Sequence, residues 1–254
     1  MLEYRPMVAV DIEGSGGRGD VALLRIREAL LTMFQEALKE SGIDWQECRF
    51  HDLGDGIRII APASAPKARL IHPLFHELVI RLHAHNRTAA PATRIRVRVA
   101  LHAGDVWLGP SGAVAGGPLE VLARLLDARP ARESLAGAPD TIPASLLVSR
   151  HFYDEVVRHG YPGIDPGAFR RVEVAVKEYA ADAWLHLPVS GAAPLPTGGS
   201  SSATANPTGA VEPRQERPTD RSKMVNRASG HGVVYATQNG DQHINVTGHT
   251  SGRG

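Results

Sequence analysis

Asp11 ends an apolar run, Val8-Ala9-Val10, and is followed by Ile12, Glu13 and the glycine-rich turn Gly14-Ser15-Gly16-Gly17. A strand that delivers a carboxylate, followed by a turn that opens a helix, has a definite chemistry. The carboxylate is a hard oxygen donor for a divalent cation. The free backbone N–H groups of the turn suit a phosphate beside it. A second acidic residue, Asp55, sits in Leu53-Gly54-Asp55-Gly56, a hairpin signature ahead of Ile57-Arg58-Ile59-Ile60. The plain alternatives are an exposed turn residue at Asp11 and a hairpin Asx residue at Asp55. Gly14, Gly16 and Gly19 also spell GxGxxG. A dinucleotide fingerprint should start at the strand end and be followed about 20 residues later by an acid closing a second strand. Residues 33–40 read as helix instead, so these glycines serve a phosphate turn or a loop.

The elements that must carry these residues follow from periodicity. Residues 22–41 place Leu23, Ile26, Leu30, Met33, Phe34 and Leu38 at helical spacing, with Asp20 as the expected N-cap and Gly42 as the stop. Residues 47–50 and 57–60 are expected strands. Residues 67–87 are an expected helix, its regular part starting near Pro73, with core positions Leu70, Leu74, Leu78, Val79 and Leu82. Its histidines His72, His76, His83 and His85 lack the further ligands a helix-borne zinc site needs. Residues 94–101 alternate Ile95, Val97 and Val99 with Arg94, Arg96 and Arg98, which predicts a half-buried strand with a solvated basic face. A flexible loop is expected over 109–117. A helix over 119–128 should turn Leu119, Leu122, Leu125 and Leu126 inward and Arg124 elsewhere. Strands at 145–149, 169–176 and 183–187 and a helix at 151–159 complete the domain. This order implies an α+β fold, one sheet covered by helices.

At this point the chain resembles class III nucleotidyl (adenylate/guanylate) cyclase homology domains, over about residues 7–188. Four landmarks carry the likeness in order: Asp11 at the end of the first strand, Asp55 in the Gly-Asp turn, Leu101-His102-Ala103-Gly104-Asp105-Val106, and the helix ending on Arg124. The resemblance implies a ferredoxin-like sheet covered by helices, and a homodimer whose active site forms between two chains. It implies a nucleoside triphosphate held through two Mg2+ or Mn2+ ions by Asp11 and Asp55, with the backbone carbonyl of Ile12 as a further ligand. Gly14, Ser15 and Gly16 would line the phosphates. Arg124 matches the transition-state arginine, and Lys177 is the candidate for a lysine late in the domain. Two positions depart from the pattern. Glu120 stands where an asparagine should orient the ribose, and His51 where a lysine should select the base. The metal and phosphate half is therefore kept and the ribose and base half altered. That predicts nucleotide binding with conventional cyclase activity weak or lost, because positioning carries much of catalysis.

Lys plus Arg number 28 against 27 Asp plus Glu over 254 residues, so nucleic acid is not an expected partner. The single cysteine, Cys48, excludes an intrachain disulfide and suits a reducing cytoplasm. Neither an export signal nor a membrane-spanning run is expected. Beyond the 1–188 domain, 189–226 read as a disordered linker rich in Gly, Ser, Thr, Ala and Pro. A short β-prone tail follows over 227–254. Within it, residues 229–246 resemble short motifs at the ends of actinobacterial signalling proteins. The alternative to a nucleotide-binding domain is therefore a non-catalytic dimerisation or adaptor module that recruits a protein effector through this tail.

Overall fold

A computed structural model describes residues 1–110 and 112–188. The expected linker, the tail and its 229–246 motif lie outside the described residues. The domain is built on one eight-stranded sheet of order β2-β3-β1-β4-β6-β8-β7, with β5 paired to β4. Strand β1 (Leu2–Ile12) occupies its middle. It pairs antiparallel with β3 (Gly56–Ile60) from Met7↔Ile60 to Asp11↔Gly56. On its other side it pairs with β4 (Val97–Leu108) from Leu2↔Trp107 to Ile12↔Val97. Strand β2 (Arg49–Asp52) flanks β3. Strand β5 (Val114–Ala115) is a short partner of β4, while β6 (Ala144–Ser149) runs parallel to it. Strands β7 (Arg170–Val176) and β8 (Tyr179–His186) form the far hairpin.

Alternation along β1 writes two cores. Val8, Val10 and Ile12 face one way, into a cluster with Ile26, Leu30 and Phe34 of α1 (Asp20–Glu40), Leu78 and Leu82 of α2 (His76–Thr88), and Phe152 of α5 (Arg150–Glu155). Met7 and Ala9 face the other way, against Leu119, Leu122 and Leu125 of α3 (Gly117–Leu126) and Ala131 of α4 (Arg129–Ala136). Asp11 continues this second series, so its side chain lies on the α3 face.

Five expectations need correction. Of the arginines of the 94–101 run, Arg94 is exposed as expected, but Arg96 and Arg98 are not solvated. The side chains of Arg96 and Arg98 are 18 % and 16 % exposed, because α3 and the little-hydrophobic α4, which the pattern did not announce, cover that face. The strand itself runs on through His102-Ala103-Gly104-Asp105 to Leu108. The 67–87 helix is broken into a 3-10 turn (Lys67–Leu70), a wide turn (Ile71–Phe75) and then α2. His72 leaves helical geometry at φ −129°, as the residue before a proline tends to. Gly19, not Asp20, is the N-cap of α1, and Leu126 is only half-buried.

His102 is 8 % exposed on β4. Its Nδ1 lies 2.8 Å from Ser149 Oγ, which also accepts the Phe152 N–H at 3.0 Å and so caps α5. Burial, and next the neighbouring His151, push the ring's pKa down to about 4, against a weaker upward pull from Glu155. The unfolded ring titrates near 6.5. The folded state therefore binds fewer protons in this window. The stabilisation is fully present above pH 6.5 and is lost as pH falls toward 4, on the order of 3 kcal/mol in all. We expect urea unfolding midpoints of the native chain to drop from pH 6.5 to 4.5, and His102→Gln to flatten that slope.

Candidate functional site

The glycine-rich turn is pinned from within. The guanidinium of Arg18 donates to the carbonyls of Gly14 at 2.6 Å, Glu13 at 2.7 Å and Arg94 at 2.5 Å. Gly14 and Gly17 take φ of +59° and +80°, a region that favours glycine. Ser15, between them, donates its hydroxyl to Asp55 Oδ2 at 2.7 Å. The Ile12 N–H donates to the Asp55 carbonyl at 3.1 Å. The turn and the β2–β3 hairpin are thus joined.

Gly56 makes this approach possible. A Cβ there would stand 2.3 Å from the Val10 carbonyl oxygen, so only glycine lets β3 close on β1. Gly56 is the register partner of Asp11. Asp11 and Asp55 are therefore neighbours across the strand pair, and both line one cleft of about 390 Å3 between the sheet and α3. The structure brings together Asp11, Ile12, Asp55 and Ser15, with Gly14 and Gly16 in the same turn.

Three arginines share that cleft: Arg58, Arg98 and Arg132, with Asp127 as a third carboxylate. Asp11 and Arg98 face each other across β1 and β4, and the Arg98 guanidinium donates to the Asp11 carboxylate. Asp127 is paired with Arg132 at 2.7 Å. Arg58 projects from β3 into the same space, two residues beyond Gly56 on the same face. None of these arginines was singled out as a site residue. The available signal was a lone cation inside the apolar run Ile57–Ile60, and the alternation that carried Arg98.

The remaining expected residues stand apart within one chain. Glu120, in the first turn of α3, is exposed, and Arg124, in its last turn, is half-buried. The helix turns Leu122, Ala123, Leu126 and Asp127 to the cleft instead. His51 lies on β2 directly opposite Arg58. Burial, then the Arg58 charge, lower its pKa, so the ring is neutral at pH 7. Lys177 is exposed on the β7–β8 turn at φ +55°, with β1, β4, β6 and β8 between it and the β2–β3 hairpin.

No protein-family profile matches the chain, and no curated protein does. Solved structures do. The guanylyl cyclase Cya2 superposes with a TM-score of 0.53 at 13 % identity, covering 76 % of this chain and 95 % of that one. An adenylate/guanylate cyclase/hydrolase from Silicibacter pomeroyi gives 0.52 at 17 % identity, covering 74 % and 99 %. At these identities the likeness concerns the fold. The domain has the fold of class III adenylyl and guanylyl cyclase domains, in a divergent sequence. Among the described residues no helix is long and apolar enough to cross a membrane.

The side chains of the Asp11–Arg98 pair are 13 % and 16 % exposed, so neither charge is well hydrated without the other. A double-mutant cycle of Asp11→Asn and Arg98→Met, read by urea unfolding, should return a coupling of about 1–3 kcal/mol. A value near zero would show the pair to be energetically idle.

Proposed function

We propose that this domain binds a nucleoside triphosphate together with a divalent cation, and that its capacity for conventional cyclisation is weak or lost. The observation that carries the reading is the convergence of Asp11 and Asp55 on one cleft, tied by Ser15 to a glycine turn at the start of α1. Backbone N–H groups at such a turn are aimed at an anion, and the helix dipole favours it.

The donor set suits Mg2+ or Mn2+. Two carboxylates and the Ile12 carbonyl are hard oxygens, and such ions take one or two carboxylates and complete their shell with phosphates and water. Among the described residues no three His, Cys, Asp or Glu side chains gather as a ligand set, so the substrate's oxygens would supply the rest. When bound, the cation would neutralise phosphate charge and orient the attacking and leaving oxygens. Arg98 is held against Asp11 until then. Once a cation takes that carboxylate, the guanidinium is free to meet a phosphate, as arginine's donor fork does well.

The weakness lies in α3 and β2. Glu120 would bring a negative charge toward a polyanion where a neutral amide is needed. His51, neutral at pH 7, lacks the fixed charge of a lysine. For this chain a homodimer is part of the proposal, since Glu120, Arg124 and Lys177 are not among the residues lining the cleft that holds Asp11 and Asp55. A reducing, cytoplasmic setting agrees with the single cysteine.

Titration calorimetry of the full chain with ATP, GTP, CTP and UTP in Mn2+ tests the site. We expect binding that weakens at least ten-fold in Asp11→Asn and in Asp55→Asn. Cyclic product should be scarce, and the pair Glu120→Asn with His51→Lys should raise it at least ten-fold. Failure of every triphosphate to bind would remove the reading.

A further inference from the structure

A further charged cavity, of about 480 Å3, lies between the end of α2, the segment leading into β4 and the loop before β6. None of its lining residues lines the Asp11–Asp55 cleft. Its size falls within the roughly 300–1,000 Å3 of small-molecule sites. Four arginines reach it, Arg18, Arg87, Arg94 and Arg96, against the carboxylates of Glu13 and Asp140. The surplus is two positive charges, and a concave wall focuses their field. Pro91 is the one apolar residue among the described residues of the lining, so the cavity does not suit a hydrophobic ligand.

Two of these arginines are spent on the fold. Arg18 donates to carbonyls of the glycine turn and of Arg94, and Arg96 holds Glu13 and three carbonyls after α4 begins. Arg87 and Arg94 are exposed, and among the described residues neither side chain has an ion pair or a hydrogen bond. Their mounting is fixed nonetheless. Asn86, beside Arg87, donates to the Ile95 carbonyl at 2.7 Å and accepts the Ile95 N–H at 2.8 Å. The His85 ring donates through Nε2 to the Thr93 carbonyl at 2.9 Å. These bonds clamp the segment that bears Arg94 onto the helix that bears Arg87. A lone arginine on a loose loop would be ordinary. Two guanidinium groups held over one cavity, each without a carboxylate of its own, form a prearranged anion receptor.

The charge says which anion. A guanidinium fork meets two oxygens of a carboxylate or a phosphate equally well in shape. A phosphoryl group carries about −2 at pH 7, which matches the surplus, whereas a carboxylate carries half of that. We propose that this cavity binds the phosphoryl group of a small molecule without a divalent cation, and that Arg87 and Arg94 are the residues that take it. The inference goes beyond the nucleotide reading and does not depend on it. Arg18 links the Arg94 carbonyl to that of Gly14, so an occupant sits one guanidinium away from the glycine turn.

The test is titration calorimetry of the full chain with inorganic pyrophosphate in the presence of a chelator, at constant ionic strength. We expect saturable binding that weakens at least ten-fold in Arg87→Gln and in Arg94→Gln. Both side chains are exposed, so these variants keep the fold. Asp140→Asn removes a negative charge from the lining and should tighten binding at least two-fold. Arg49→Gln, at an exposed position of β2 outside the cavity, should change nothing. Absence of saturable binding would overturn the proposal. A loss in Arg49→Gln as large as in Arg94→Gln would overturn it too, by showing general surface charge at work. So would full affinity in Arg87→Gln and Arg94→Gln with a loss in Arg98→Met, which would assign the anion to the Asp11 cleft. Acetate binding as tightly as pyrophosphate would overturn the choice of a phosphoryl group.

Discussion

The long antiparallel pairing of β1 with β4 is the constraint on which the domain depends. It runs from Leu2↔Trp107 to Ile12↔Val97, in the middle of the sheet. A slip of one residue would exchange the faces of both strands. Val8, Val10 and Ile12 would then meet α3, and Asp11 would be driven into the core formed by α1 and α2. The register that satisfies the apolar residues is the same one that puts Asp11 against Arg98. Folding and site assembly are therefore a single event along this ladder.

The α3 face of the sheet consequently has two characters. Toward the middle it is an ordinary core of Met7, Ala9, Ala100 and Leu147 beneath Leu122 and Leu125. Toward the Asp11 end it becomes a cleft of opposed charges. Burying charges is tolerable there because each is paired or borders open space, and pairing in a poorly hydrated setting is stronger than at a free surface. Arg96 shows the structural use of the same device. It pairs with Glu13 at 3.2 Å and donates to the carbonyls of Leu135, Ala138 and Ile142, clasping the loop after α4. Arg98 and Arg58 lie on the same face with fewer partners. The contrast separates an arginine that holds the fold from those available to a ligand.

The site and the altered positions obey different physics. Asp11, Ser15, Gly56 and Asp55 depend on one another through backbone contacts too close to admit another residue at Gly56. Glu120 and Lys177 are surface residues whose own chain asks nothing of them. Substitution at such positions costs the fold little. A domain of this architecture can thus lose the orienting half of a site while keeping the half that its sheet enforces.

The sequence alone was sufficient for what is local or periodic. The helical stripe from Ile26 to Leu38, the apolar strand ending on Asp11, the Gly54-Asp55-Gly56 turn and the spacing of Leu119, Leu122 and Leu125 each reflect interactions a few residues apart, and each was read correctly as to type. The order of those elements already implied a sheet covered by helices. Tertiary structure decided which face each strand buries and what covers it. Alternation reveals that Arg94, Arg96 and Arg98 share a side, but not that α3 and α4 will lie over Arg96 and Arg98. Helix α4 has too few apolar residues to announce itself and is buried through Ala131 and Leu135. Nor can spacing show that Arg58 will stand opposite His51 and line the same cleft as Asp11. That depends on a cross-strand register and on a cleft formed by segments more than sixty residues apart. The charges of the site were visible in the sequence; their partners were set by packing.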